Sequence, residues 1–194
     1  LIGAVAGGAG YLVAAYTSLD TFAIWQYGTR GSFKNLALLL IVCVGIFAPF
    51  IAVGVVVSTL LGRRPDKVGR LYFADLVGAG LALAVVVALL SWIGPPATIF
   101  VAGVVLAVTG LRIALRRGAI VLAGTAVVAI VLAVAVVAPS VLPDPKLETS
   151  KANLFPKHSL YSAWSPIFRV DVFQFTPSVR VLFHDGLIGS SIFR

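Results

Sequence analysis

The chain consists of long apolar runs separated by short polar or basic punctuation. Leu36 to Leu61 carries no charge, Leu71 to Ile93 carries only Asp75, Ala97 to Leu115 carries only Arg112 near its end, and Ala119 to Val137 carries none. A helix needs about 20 apolar residues to cross the hydrocarbon of a bilayer, and in lipid it satisfies its own backbone donors and acceptors. Each of these runs has that length. A further apolar stretch, Leu1 to Tyr16, opens the chain without the basic leader or Ala-x-Ala site of a signal peptide, and it is read as a truncated spanning helix. The pattern predicts an all-α transmembrane helical bundle of about five helices over residues 1–138.

The punctuation agrees with that count. Gly62 to Arg70 (GRRPDKVGR), Gly94-Pro95-Pro96 and Arg116-Arg117-Gly118 are short breaks, so the helices on either side of each are expected to be antiparallel neighbours. Pro49 removes one backbone donor and is expected to kink its helix. Asp20 to Asn35 is mixed aromatic and polar, with Trp25 and Tyr27 suited to the membrane–water interface.

Beyond Val137 the pattern changes. Pro139, Pro143 and Pro145 make a stiff exit, and residues 139–160, with Lys146, Glu148, Lys151 and Lys157, read as a linker leaving the bilayer. Phe168 to Phe175 (FRVDVFQF) partly alternates, Val179 to Phe183 is β-branched and aromatic, and Leu187 to Phe193 follows the Asp185-Gly186 pair. Asp-Gly between two such runs is a hairpin signal. The expectation for residues 161–194 is a short antiparallel β meander of about three strands, incomplete and marginal alone. Because the chain opens within an apolar run, contains no Met and stops in strand-like sequence, it is expected to be a fragment lacking both ends.

Composition changes the reading of charge. Hydrophobic residues make up 60% of the chain and charged residues 11%, with a mean hydropathy of +1.06, whereas soluble domains carry roughly a quarter charged residues. A net charge of +8 would suggest a nucleic-acid partner in a soluble protein. Here the cations lie in loops between apolar runs, so the lipid bilayer is the expected partner and nucleic acid is not. Lys and Arg favour the cytoplasmic side in short loops. Arg63, Arg64, Lys67 and Arg70 mark one loop and Arg112, Arg116 and Arg117 another, while Ser91 to Ala97 is uncharged. That places both basic loops inside and the tail outside, although Arg30, Lys34, Lys146, Lys151 and Lys157 pull the other way.

Candidate chemistry is sparse. Cys43 is the only cysteine and lies inside an apolar run, which rules out a disulfide framework. Ala74, Gly78 and Ala82 form a stripe of small residues, as do Gly3 and Gly7, and such stripes allow close backbone approach in lipid. Their expected use is helix packing within one subunit, with homo-oligomerisation or a substrate path as alternatives. Asp75 is an intramembrane acid only five residues from Arg70, near enough to the boundary to reach water or that arginine. An interfacial anchor, an internal polar contact and ion coupling all remain open for it. His158 and His184 have no acidic cluster, so no metal site is expected. Ser165, Ser190 and Ser191 lack the Gly-x-Ser-x-Gly context, and no phosphate loop or carboxylate pair is present. No catalytic residue is assigned.

Arg70 to Gly80 (RLYFADLVGAG), with Ala48-Pro49-Phe50 upstream, resembles bacterial membrane-bound spermidine synthase-like proteins. In the tail, Trp164-Ser165-Pro166, Arg169-Val170-Asp171-Val172 and His184-Asp185-Gly186 are similar to the small β-domain that opens a polyamine aminopropyltransferase module. The resemblance spans roughly Leu36 to Arg194. It implies a multi-pass protein of the bacterial inner membrane whose helices anchor an aminopropyltransferase- or methyltransferase-like domain following Arg194. The intact protein would transfer an aminopropyl group from decarboxylated S-adenosylmethionine to an amine; no cofactor is expected within this chain. The family's nucleotide loop and catalytic aspartate have no counterpart here. Phe168 and Gly189 stand where soluble members carry glutamines, which points to a divergent member. Trp164, Arg169, Asp171, Asp185 and Gly186 carry over as framework or substrate-edge positions. The alternative is a non-catalytic transporter-like or scaffold membrane protein with a β-rich docking tail.

Overall fold

The computed structural model describes residues 1–145, 159–185 and 187–193. The linker charges Lys146, Glu148, Lys151 and Lys157, together with His158 and Gly186, lie outside the described residues. Five α-helices precede a four-stranded antiparallel sheet. The helices are α1 (Ile2–Tyr16), α2 (Thr21–Ile24), α3 (Arg30–Arg63), α4 (Val68–Ala114) and α5 (Ala119–Val137). Three of them, α3, α4 and α5, are long and apolar enough to cross a membrane, and α1 is a shorter apolar helix.

The 47 residues of α4 would span about 70 Å if straight, more than twice the hydrocarbon thickness. Gly94 interrupts it: φ 77° and ψ 166° are non-helical, and Pro95 and Pro96 follow in the first turn of the second segment. That conformation is essentially restricted to glycine. Residues 68–93 and 95–114 are therefore two helices joined at a kink, as the Gly-Pro-Pro punctuation predicts. Pro49 lies inside α3, which is helical on both sides of it.

Close backbone approach organises the bundle. A Cβ on Gly10 of α1 would run into the Gly45 carbonyl of α3, so only glycine permits this crossing. Gly3 faces Ala52 and Val53, which makes α1 and α3 antiparallel. On its other side, α1 lies against the second segment of α4. Leu1 is beside Gly110, the Ala4 carbonyl beside Gly103, and Gly8 beside Phe100, so this pair is antiparallel as well. Ala4, Tyr11, Ala15, Phe100, Ala107 and Leu132 of α5 form the buried core. The tight packing thus comes from Gly10, Gly45, Gly103 and small alanines, which is the way helices associate in lipid.

Two packing expectations fail. Although a short basic loop joins them, α3 and α4 do not pack along their length; they meet around Val57, Leu60, Leu61, Leu71, Tyr72 and Asp75 next to the loop. Helix α1 occupies the place between α3 and the second segment of α4, so the first segment finds no site there. The Ala74, Gly78 and Ala82 stripe is accordingly exposed, and nothing lies within 4 Å of a Cβ placed on Gly78.

These directions give the bundle two chemically different ends. The loop after α3 and the Arg112 to Gly118 turn share the end marked by Leu1. The α1–α3 connection, the Gly94 kink and the exit of α5 share the other. The sheet, β1 (Tyr161–Trp164), β2 (Arg169–Thr176), β3 (Val179–His184) and β4 (Leu187–Phe193), follows from that second end as a meander in the order β1-β2-β3-β4. Its apolar centre is Phe173, Val181 and Phe183, with Val179 against them. The sequence predicts about three strands; β1 is the addition, a four-residue strand too short to show alternation. Asp185 takes φ 47° in the two-residue β3–β4 connection, the left-handed conformation that a tight hairpin requires.

Candidate functional site at the bundle–sheet junction

The polar residues singled out in the tail come together in the first two strands. Register places Trp164 opposite Arg169 and Ser162 opposite Asp171. Because side chains alternate along a strand, Arg169, Asp171 and Phe173 share one face. Asp171 is 3% exposed. A carboxylate this buried must be paired. It accepts a hydrogen bond from Ser162 Oγ at 2.6 Å and another from Arg169 Nε at 3.1 Å.

Arg169 is the hub of the junction. Its Nε also donates to Ser162 Oγ at 3.0 Å, its Nη1 lies 3.5 Å from an Asp144 carboxylate oxygen, and its guanidinium sits 5.7 Å from the centre of the Trp164 ring. Its backbone N–H donates to Asp185 Oδ1 at 2.8 Å, and the Asp185 N–H donates to the Arg169 carbonyl at 3.0 Å. The planar, multi-donor guanidinium suits this role, since it serves several acceptors in one fixed orientation. Four of the five carried-over tail residues, Trp164, Arg169, Asp171 and Asp185, thus form one connected group; the fifth, Gly186, is outside the described residues.

This group is tied to the helices at three points. Asp144, on the segment leaving α5, makes the ion pair with Arg169. Tyr11 of α1 donates its hydroxyl to the Pro143 carbonyl at 2.6 Å. A Cβ on Gly94 would lie 3.7 Å from the Trp164 Cβ, so β1 rests against the α4 kink. Tyr11 also meets Phe100 edge-on, with ring centres 5.5 Å apart. Sequence reasoning missed Tyr11, Ser162 and Asp144. A tyrosine in an apolar helix does signal that its hydroxyl will seek an acceptor, but Ser162 and Asp144 carry no local signal of their partners.

Phe168 and Gly189, where the resemblance leads one to expect glutamines, both adjoin His184. The Phe168 and His184 rings are 4.5 Å apart, and a Cβ on Gly189 would sit 2.7 Å from the imidazole. The Phe168–His184 pair fills this corner of the sheet, and a larger residue at 189 would have to displace the His184 ring.

The intramembrane polar pair does not form. Asp75 and Arg70 are both exposed, and no ion pair joins them among the described residues. Five residues is about 500° of helical turn, which places them some 140° apart around α4. Among the described residues no group of three or more His, Cys, Asp or Glu is positioned to hold a metal ion. Chemically, the junction is a charge-paired clasp holding the sheet to one end of the bundle. Comparison with protein-family models, curated proteins and solved structures finds no match to this chain.

Proposed function

We propose that this chain is the membrane region of a spermidine synthase-like protein, in which the helices cross the bilayer about five times and hold an aminopropyltransferase- or methyltransferase-like domain at its surface. The observation that carries this reading is the connected set Trp164, Arg169, Asp171 and Asp185 on a sheet clasped to the bundle. A sheet meant to open a following domain needs a fixed relation to its anchor, and the Asp144–Arg169 and Tyr11–Pro143 contacts supply one. In this reading the chemistry belongs to the following domain, with decarboxylated S-adenosylmethionine as aminopropyl donor and the lipid bilayer and that domain as the partners of this chain. The setting is the bacterial inner membrane.

The second reading, a non-catalytic transporter-like or scaffold protein with a docking tail, draws support from the exposed Ile192 and Phe193 on the edge strand β4. Expression of the parent gene separates the two. Membranes containing its product are incubated with aminopropyl-labelled decarboxylated S-adenosylmethionine and a diamine. The enzyme reading predicts labelled polyamine from the membrane fraction. Absence of transfer, with a sequence past Arg194 that lacks a Gly-rich turn and a following acidic residue, favours the scaffold.

A further inference from the structure

The sheet is tied to the helical part of the chain by Trp164, which lies against Gly94, and by Arg169, which is paired with Asp144. These two residues are register partners and bound the β1–β2 turn, Ser165-Pro166-Ile167-Phe168. Helix lengths fix the level at which this turn meets the bundle. From Arg70 to Gly94 the first segment of α4 rises about 36 Å, the return from Gly94 to Arg112 covers about 27 Å, and α5 covers about 28 Å. The hydrocarbon of a bilayer is about 30 Å thick. With the basic loops at one boundary, the Gly94 kink and the exit of α5 therefore lie at the other. Trp92, next to the kink, is exposed, as suits a tryptophan at the membrane–water interface.

The turn itself suits a poorly hydrated setting. Its side chains carry no charge, and Ile167 at its tip is 84% exposed. One exposed isoleucine is ordinary on a surface that faces water; what sets this one apart is its level and the backbone beneath it. The Ser165 N–H donates to the Phe168 carbonyl at 2.9 Å, Pro166 has no N–H, and the Ile167 and Phe168 N–H groups donate to Ser165 Oγ at 3.3 and 3.1 Å. The Ser165 hydroxyl in turn donates to the Phe168 carbonyl at 2.7 Å, and the Arg169 N–H donates to Asp185. Every backbone donor from Ser165 to Arg169 thus has an acceptor within the sheet, the condition that backbone must meet where water is scarce.

From the level of the turn and its satisfied backbone we infer that it dips into the boundary between lipid headgroups and acyl chains, with Ile167 as the inserted side chain. The partner is the bilayer surface, and apolar area is what binds it there. The inference rests on the membrane-spanning reading and deepens it with a second, non-helical contact that holds the sheet against the lipid.

The test uses the full chain in phosphatidylcholine nanodiscs, with Cys43→Ser removing the native thiol and a bimane label attached at Ile167→Cys, Ser178→Cys or Val85→Cys. The quenchers are iodide in the water and a phosphatidylcholine bearing a nitroxide near the carbonyl end of its acyl chain. At position 167 the lipid nitroxide is expected to quench the label and iodide to leave it bright; at position 178, on the far turn of the sheet, the reverse is expected. Quenching at 167 by iodide alone puts the turn in water and overturns the inference. Quenching there by neither puts the turn under protein and overturns it equally. If circular dichroism shows that the label disrupts the sheet, the unlabelled Ile167→Cys and Ser178→Cys chains are compared by their rates of reaction with a membrane-impermeant maleimide. Slower reaction at 167 is expected, and equal rates overturn the insertion. Position 85, exposed midway along the first segment of α4, reports on the membrane reading separately. Its label should be shielded from iodide, and quenching by iodide there would remove the spanning arrangement whatever position 167 shows.

Discussion

At the residue scale the decisive group is Asp171, a carboxylate 3% exposed that holds Ser162 and Arg169 together. Removing the acceptor leaves the Ser162 hydroxyl without its partner and Arg169 Nε with Ser162 Oγ alone, at a cost of about 1–3 kcal/mol for the unsatisfied groups. Asp171→Ala is accordingly expected to destabilise the sheet by about 2–3 kcal/mol, read as faster amide exchange in β2 and β3 with helix protection retained. Unchanged exchange would show that the clasp contributes nothing. Asp75 is the opposite case, exposed on α4 and not ion-paired to Arg70. Asp75→Asn should leave insertion and yield within about 0.5 kcal/mol of the parent, whereas loss of the folded protein in detergent would reveal an internal contact.

At the scale of elements, the break in α4 is the feature on which the topology depends. Gly94 holds a backbone conformation that costs a side-chain-bearing residue about 1–3 kcal/mol, and it seats Trp164. Gly94→Ala is expected to lower the thermal midpoint in detergent, whereas Gly78→Ala, in open helix, should hold or raise it, since alanine is favoured there by about 1 kcal/mol. Equal losses for the two would point to a partner on the Ala74, Gly78 and Ala82 stripe. The elements were legible to different degrees for physical reasons. Long uncharged runs announce helices through length alone, and the Asp-Gly pair announced the β3–β4 hairpin. Helix α3 begins earlier than its apolar run, at Arg30, because Thr29 caps it by accepting from the Ser32 N–H at 3.1 Å. Asp20 likewise caps the short α2. Such caps sit in the polar stretch that reads from sequence only as an interfacial loop.

For the whole molecule, composition carried the membrane reading, but packing partners were not legible. Nothing local to Leu71 through Ile93 discloses that α1 takes the place beside the later half of α4; that outcome depends on Gly10 meeting Gly45 and on Gly103 lying against Ala4 and Leu132, each across separate helices. The junction was partly legible, since Arg169, Asp171 and Asp185 stood out in the strands, while Tyr11 and Asp144 reach it from distant sequence. What the assembled directions do supply is polarity: both basic loops at one end and the sheet at the other. Side-selective thiol labelling in sealed vesicles tests this most directly, starting from Cys43→Ser to remove the only cysteine. A membrane-impermeant maleimide should reach Lys67→Cys and Arg116→Cys from one face, and Ser178→Cys, at the β2–β3 turn, from the other. Labelling of all three from the same face would contradict the spanning arrangement.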